Sequence, residues 1–234
     1  MLVLESTQNR TPGFDDKRLH LLKVAARVFA EVGYAGASMR RIAAETEVSL
    51  AGIYHYVAGK EELLYWIQYH TFDSLHQSLQ DGLDGVTEPR RRLEAAVRNH
   101  VRHFGENMHE LRVCARELET LEGEAYDDVH ERRRLYFEAV HQLVRDLDDE
   151  ADSGLNSWVA TANLFGMINW FYQWYDAGRS QVSLDDLAAQ QTALFLDGYL
   201  TSVHDGGEGL YSSARDGGEE PSASTSHGDD GDGL

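Results

Sequence analysis

The sequence predicts an all-α protein, with a small amino-terminal helical domain followed by a larger one. Three observations carry that prediction. Apolar residues recur with helical spacing along most of the chain, and no run alternates as a strand would. The three prolines, Pro12, Pro89 and Pro221, all fall at segment boundaries. Residues suited to capping helices stand just ahead of the apolar-periodic stretches.

Taken in order, Phe14 to Val32 reads as a first helix, with Leu19, Leu22, Ala26 and Phe29 on its buried face and Gly33 as its stop. Ser38 is a suitable N-cap for a second helix through Ala44, and Ser49 for a third through Tyr56. Gly59 breaks the chain before a long helix from Lys60 to about Gln80, which the turn-rich DGLDGVTEP closes. Helices are expected at Pro89–Phe104, His109–Leu121, Glu124–Asp149, Leu155–Asp176 and Leu184–His204. The division is therefore an arm at 1–13, a first domain at 14–60, a second at 61–204 and a tail at 205–234. The tail, rich in Gly, Ser, Asp and Glu, buries too little apolar surface to order, and the arm is expected to be flexible.

Composition narrows the function. The chain has 234 residues and is 42% hydrophobic, enough for a sizeable core. The acidic, polar start MLVLESTQNR carries no signal-peptide pattern, and the single Cys114 reads as a buried thiol in a reducing cytoplasm. Leu155 to Tyr175 lacks charge and could span a bilayer. Asn156, Thr161, Asn163, Asn169 and Gln173 interrupt it, however, and a helix buried in protein is expected instead. The net charge is −19, yet residues 1–60 carry eight Lys/Arg against six Asp/Glu, so the remainder carries −21. Acid is thus segregated away from the amino-terminal sixty residues, where an anionic polymer could be met. Only Lys17, Lys23 and Lys60 are lysines, a composition like that of proteins from salt-accumulating microbes, haloarchaea especially.

Residues 38–60, SMRRIAAETEVSLAGIYHYVAGK, carry the main motif. Ile42, Ala43, Val48 and Ile53 would face the first helix, and Arg40, Arg41, Leu50, Ala51, Tyr54 and His55 would point away. Two short helices joined by a tight turn present a recognition helix to the DNA major groove. This stretch resembles the helix-turn-helix of the tetracycline-repressor (TetR) family at Ser38, Ile42-Ala43, Val48-Ser49, Tyr54, Tyr56-Val57 and Lys60-Glu61-Glu62-Leu63. Glu47 stands where the family usually has Gly and is expected to keep a negative φ. Gly52 replaces the more usual Thr and is expected to let the backbone approach DNA. The resemblance implies double-stranded operator DNA as partner. Ser38, Lys60 and Tyr54 would contact phosphate, Arg40 and His55 would reach base edges, Leu50 and Ala51 would meet a thymine methyl, and Arg41, Ser49 and Gly52 belong to the same DNA-binding set.

The resemblance further implies a homodimer through the last two helices, resting on Trp158, Phe165, Tyr172, Leu194 and Phe195, with Gly166 allowing close helix approach. Arg112–Val144 and Asn169–Ala188 resemble the acyl-CoA-responsive branch of the family, which regulates fatty-acid and related lipid catabolism, although Asp176 stands where that branch has a basic residue. A small-molecule slot could then be lined by Trp66, His100, Phe104, Tyr136, Trp170, Phe171 and Trp174. The same aromatic spacing also fits plain core. Glu117 and Arg133 are expected as an ion pair. His100 and His103, at i and i+3, lack a third ligand at metal spacing, and no metal or cofactor is expected.

The expected function is a ligand-responsive repressor, released from its operator by an acyl-CoA or similar lipid-like effector. A multidrug-type sensor of aromatic or cationic compounds is the alternative within regulation. A helical enzyme or structural dimer is the alternative outside it, although no nucleophile–base pair or phosphate loop supports catalysis.

Overall fold

The structure, a computed structural model, describes residues 14–151 and 153–201, and the arm and acidic tail expected from the sequence lie outside them. Among the described residues the architecture is all-α, in nine α-helices and two 3-10 turns, with no strand.

Helix α1 (Phe14–Gly36) buries Leu22, Ala25, Ala26, Val28 and Phe29. Leu19, expected on that face, is largely exposed at its margin. Gly33, at φ 74°, breaks the helical path as expected, although hydrogen bonding carries the helix on to Gly36. Helix α2 (Met39–Thr46) is capped by Ser38, whose Oγ accepts the Arg41 N–H at 3.2 Å. Helix α3 (Leu50–Ile53) is capped by Ser49, whose Oγ accepts the Gly52 N–H at 3.0 Å. It is shorter than expected because its end tightens: His55 N–H donates to Gly52 O and Tyr56 N–H to Ile53 O, so Tyr54–Tyr56 form turns.

The turn between α2 and α3 corrects the expectation for Glu47. Its φ is 56°, a left-handed conformation that costs a non-glycine residue about 1–2 kcal/mol. Thr46 holds that turn, donating from Oγ1 to Ala43 O and accepting the Val48 N–H.

Beyond Gly59, α4 (Lys60–Leu83) forms the axis against which α1, α5 (Pro89–Glu106), α6 (Met108–Arg116) and α7 (Gly123–Ala151) pack. Helix α5 starts on Pro89 with Glu88 as N-cap. Helix α6 stops at Glu117, short of the expected Leu121, and a 3-10 turn covers Leu118–Thr120. The expected helix Leu155–Asp176 is likewise divided. Helix α8 (Ser157–Asn169) passes into a 3-10 turn at Trp170–Gln173, and the chain then turns at Asp176 through bonds from Gly178 and Ser180. No helix among the described residues is long and apolar enough to cross a membrane. Helix α9 (Leu184–Thr201) packs along α5. Gly105 permits that approach, since a Cβ there would run into the Leu184 side chain.

Candidate functional site

Two regions bring together the residues singled out above. The first is the outer face of α2 and α3. Buried Ile42 and Ile53 fix both helices on the core. Ser38, Arg40, Ser49, Ala51, Tyr54 and His55 stay exposed, Tyr54 at 51%, and Leu50 is half-buried beside them. Arg40 makes no ion pair among the described residues. Arg41 is engaged, its guanidinium meeting Glu31 at 2.9 Å and Glu45 at 3.3 Å, while Arg27 also holds Glu45 at 2.9 Å. This acid–base cluster ties α1 to α2. Because it is substantially exposed, it orients the side chains more than it stabilises them. Tyr56 packs against the core.

Gly52 has a packing reason that sequence reading missed. A Cβ there would come within 2.9 Å of Val48 Cγ1 and 3.1 Å of Ser49 Oγ, the capping oxygen itself. Lys60 likewise has structural partners. Its Nζ donates to Tyr34 O at 2.8 Å and Ala37 O at 3.2 Å, and lies 4.2 Å from the centre of the Tyr34 ring. It thus satisfies carbonyls left over at the end of α1.

The second region is a cavity of about 750 Å³, open to the surface and lined by residues of α4–α8. Of the residues expected there, His100, Phe104, Tyr136 and Trp170 line it. Trp66 lies elsewhere: its Nε1 donates to Glu62 and the Arg18 guanidinium covers its ring at 4.0 Å. Phe171 is fully buried against Tyr175, and Trp174 is 60% exposed. The tightening at Trp170–Gln173 rotates these side chains away from the phase of a continuous helix.

Trp158, Phe165 and Tyr172, expected in a subunit interface, line the cavity within the subunit. Phe165 stacks on Phe137 with ring centres 5.3 Å apart and meets Tyr136 and His100 edge-on. Trp158 and Leu194 are exposed, Leu194 at 71%, and Phe195 is half-buried. A Cβ on Gly166 would meet nothing within 4 Å, so no helix of the same subunit approaches that glycine closely. It lines the cavity and leaves room there.

Charged and polar side chains share the cavity wall with the rings, Glu119, His130, Arg134 and Glu138 among them. Arg133 is not paired with Glu117. Its guanidinium lies 5.6 Å from the Phe72 ring centre and has no carboxylate partner among the described residues. Glu117 reaches the other way, accepting the Tyr34 N–H at 3.0 Å and the Thr120 hydroxyl at 3.1 Å. Buried His100 places Nδ1 3.1 Å from Tyr136 Oη and Nε2 3.1 Å from Asn169 Oδ1. Burial drives the His100 pKa down to about 3, so the ring is neutral. Cys114, also on the wall, is pushed up to about 12 by burial and is an unreactive thiol. His103 points to Thr71 and His70, and no group of three or more His, Cys, Asp or Glu among the described residues could hold a metal. Asn169 and Arg133 were the residues least visible as cavity groups. The one available signal was the i, i+3 spacing of Arg133 and Tyr136.

Comparisons with known proteins agree with this geometry. Residues 21–65 match the bacterial regulatory proteins of the tetR family, and residues 86–199 match the tetracyclin repressor-like C-terminal domain. A TetR-family transcriptional regulator from Bordetella parapertussis is 30% identical, with a TM-score of 0.73 over 80% of this chain and 98% of that one. AibR, solved with isovaleryl coenzyme A and operator DNA, has the same fold at 23% identity, with a TM-score of 0.68 over 76% of this chain and 97% of its own. Two curated relatives match shorter stretches. The regulator HbdR of an Aromatoleum strain is 30% identical over 83 residues, and the transcriptional activator FasR of Mycolicibacterium smegmatis is 36% identical over 89 residues. These matches cover 36% and 38% of this chain, which spans only 36% and 40% of those relatives' own lengths. The chain belongs to the TetR family of DNA-binding transcriptional regulators.

Proposed function

We propose that this regulator is a homodimeric repressor that leaves its operator when an acyl-CoA or similar lipid-like effector enters the cavity between α4 and α8. The observation that carries this reading is Arg133, a cation with no carboxylate partner among the described residues, set in a cavity walled by aromatic rings. An amphipathic anion answers both features: its chain replaces water against the rings and its negative group pairs the guanidinium. A sensor of cationic compounds would use carboxylates among the rings, and Glu119 and Glu138 also line the cavity, so the choice between the two effector classes falls to the binding test below. The ligand named for AibR, isovaleryl coenzyme A, belongs to the same chemical class.

In this reading residues 14–60 form the DNA-binding domain and residues 61–204 the effector and dimerisation domain. Arg40, Tyr54 and His55 meet the operator together with Ser38, Ser49, Leu50, Ala51 and Gly52. Arg41 joins them by exchanging a carboxylate partner for phosphate. The signal passes from the 3-10 turn at Leu118–Thr120, whose Leu118 and Glu119 line the cavity, through Glu117 to the Tyr34 amide at the end of α1.

The test is an electrophoretic shift on DNA upstream of the protein's own gene, with and without octanoyl-CoA and palmitoyl-CoA. Retarded DNA released by a thioester supports the proposal. Binding strengthened by the thioester would make the protein an activator. Release by a cationic dye but by neither thioester would overturn the acyl reading.

A further inference from the structure

The uncharged face of α8 and one rim of the cavity are the same surface. From Leu155 to Tyr175 the chain carries no charged residue, in a protein whose net charge is −19. The solvent-facing stripe of α8 runs through Trp158, Val159, Asn163 and Gly166 and ends on Trp170, both tryptophans being more than half exposed. Trp158, Gly166 and Trp170 also line the cavity, so on this side its wall is made of groups that face water. Helix α9, which touches α8, adds exposed Ala189, Ala193 and Leu194. Gly166 is a second mark of the same place. Glycine inside a helix costs about 1 kcal/mol relative to alanine. A Cβ there would meet nothing of its own subunit within 4 Å, so no contact inside the subunit requires the glycine.

We infer that a second copy of this chain seats on the α8–α9 face and completes the effector cavity, covering it along Trp158, Gly166 and Trp170. This rests on the homodimer and effector-cavity reading and adds where the two meet. Two copies that each carry −19 repel one another wherever acid faces acid. A two-fold contact sets a patch against itself, so that patch must be neutral or self-complementary. The α8 stripe is neutral and carries two broad indole surfaces that gain from leaving water. A basic partner would meet the acidic remainder of the body instead. In a lone subunit the cavity lacks its cover at α8, and an effector there stays partly in water. Effector binding and dimerisation are then linked, each strengthening the other by the same factor.

The test puts a single thiol at that rim of the full chain. Cys114 is the chain's only cysteine, so Gly166→Cys in a Cys114→Ala background leaves one thiol to follow, at a position exposed in the lone subunit. Its reaction with methyl methanethiosulfonate, followed by mass spectrometry, should be roughly 10-fold slower in the dimer than after Leu194→Glu or Ala193→Glu has been added to give monomers. Dimers that react as fast as monomers would overturn the inference. So would dimers that persist in both Glu variants, or a native protein that sediments as a monomer. Loss of dimerisation on Gly166→Cys alone, with the melting temperature of the subunit unchanged, would support it, because nothing inside the subunit meets that side chain. This reaction needs no effector, so it decides the inference even if the acyl reading fails. Where octanoyl-CoA binds the native dimer, Leu194→Glu should bind it about 10-fold more weakly. Equal affinity would overturn the shared wall and leave the acyl reading standing.

Discussion

Glu117 Oε1 accepts the Tyr34 backbone N–H at 3.0 Å, while the carbonyl of Tyr34 accepts from Lys60 Nζ at 2.8 Å. The last turn of α1 is therefore gripped from both sides, by a residue next to the cavity wall and by the first residue of α4. A carboxylate bonded to a partly buried amide is worth about 1.5–3 kcal/mol, and partial exposure of Glu117 lowers that to about 1–2 kcal/mol. Glu117→Ala should lower stability by that amount in urea denaturation. It should also shrink the change in operator affinity that effector produces, while effector affinity itself stays within about twofold. A full effector response in the variant would exclude this contact from the coupling.

The operator surface separates into positioning and reading groups. Lys60→Ala should weaken binding to all sequences alike, and also lower the melting temperature, because its ammonium satisfies the α1 carbonyls. Tyr54→Phe should weaken all sequences without the stability loss, since Tyr54 is exposed. His55→Ala should instead change which operator a sequence selection recovers. An unaltered preferred sequence would remove His55 from the base-reading set.

The exposed Leu194 and the cavity-facing Phe165 distinguish an interface from a core. Leu194→Glu should give monomers in sedimentation experiments with an unchanged melting temperature per subunit, because an exposed apolar residue of this size on α9 suits a partner helix. Phe165→Glu should destabilise the fold by about 3 kcal/mol or more, since a carboxylate there would stand unpaired among three rings. Dimers persisting in Leu194→Glu would place the interface elsewhere.

Much of this was legible in the sequence, and what was not has physical causes. The short helices could be located because Ser38 and Ser49 cap them through bonds to residues three positions on, a purely local relationship. The left-handed Glu47 was not legible, because its turn is held by hydrogen bonds of the neighbouring Thr46 hydroxyl to Ala43 O and the Val48 N–H rather than by a glycine. The division of Leu155–Asp176 decided the most. Once the backbone tightens at Trp170, helical phase no longer tells which aromatic faces the cavity. Phe171 consequently turns into the core and Trp174 to the surface, while Tyr172 lines the cavity. Lys60 and Gly52 match the family motif in sequence. Their partners in the structure give each of them a local packing reason as well.

Acid should weaken the fold through two histidines. Burial lowers His100 to about 3 and His103 to about 4, the second with repulsion from His70 as well. Both lie below the unfolded value of about 6.5, so the folded chain binds fewer protons than the unfolded one below that pH. Stability is therefore complete above about pH 6.5 and falls progressively as pH drops toward 4 and then 3. The urea midpoint should be lower at pH 5 than at pH 7.5, and His103→Gln should flatten the dependence. A midpoint that rises on acidification would mean that relief of carboxylate repulsion outweighs both rings.

Salt brings the acidity and the DNA binding into one experiment. Of the cations in residues 1–60, Arg41 already holds Glu31 and Glu45, Lys60 holds helix carbonyls, and Lys23 lines a pocket with His70, His103 and Glu110. Arg40 and Lys17 remain the readiest phosphate partners, against a chain that carries −21 outside residues 1–60. Each phosphate neutralised adds about −0.9 to the slope of log affinity against log salt, so few contacts mean a shallow slope. The Debye length falls to about 3 Å at 1 M, which screens distant carboxylates from DNA and from one another. The protein should therefore keep useful operator affinity near molar salt and lose helical structure at low salt, as its acidic, lysine-poor composition suggests. Circular dichroism and operator binding across one salt series measure both effects. A fold intact at low salt, with affinity collapsing as salt rises, would show an ordinary salt-sensitive regulator and defeat the halophilic reading of the composition.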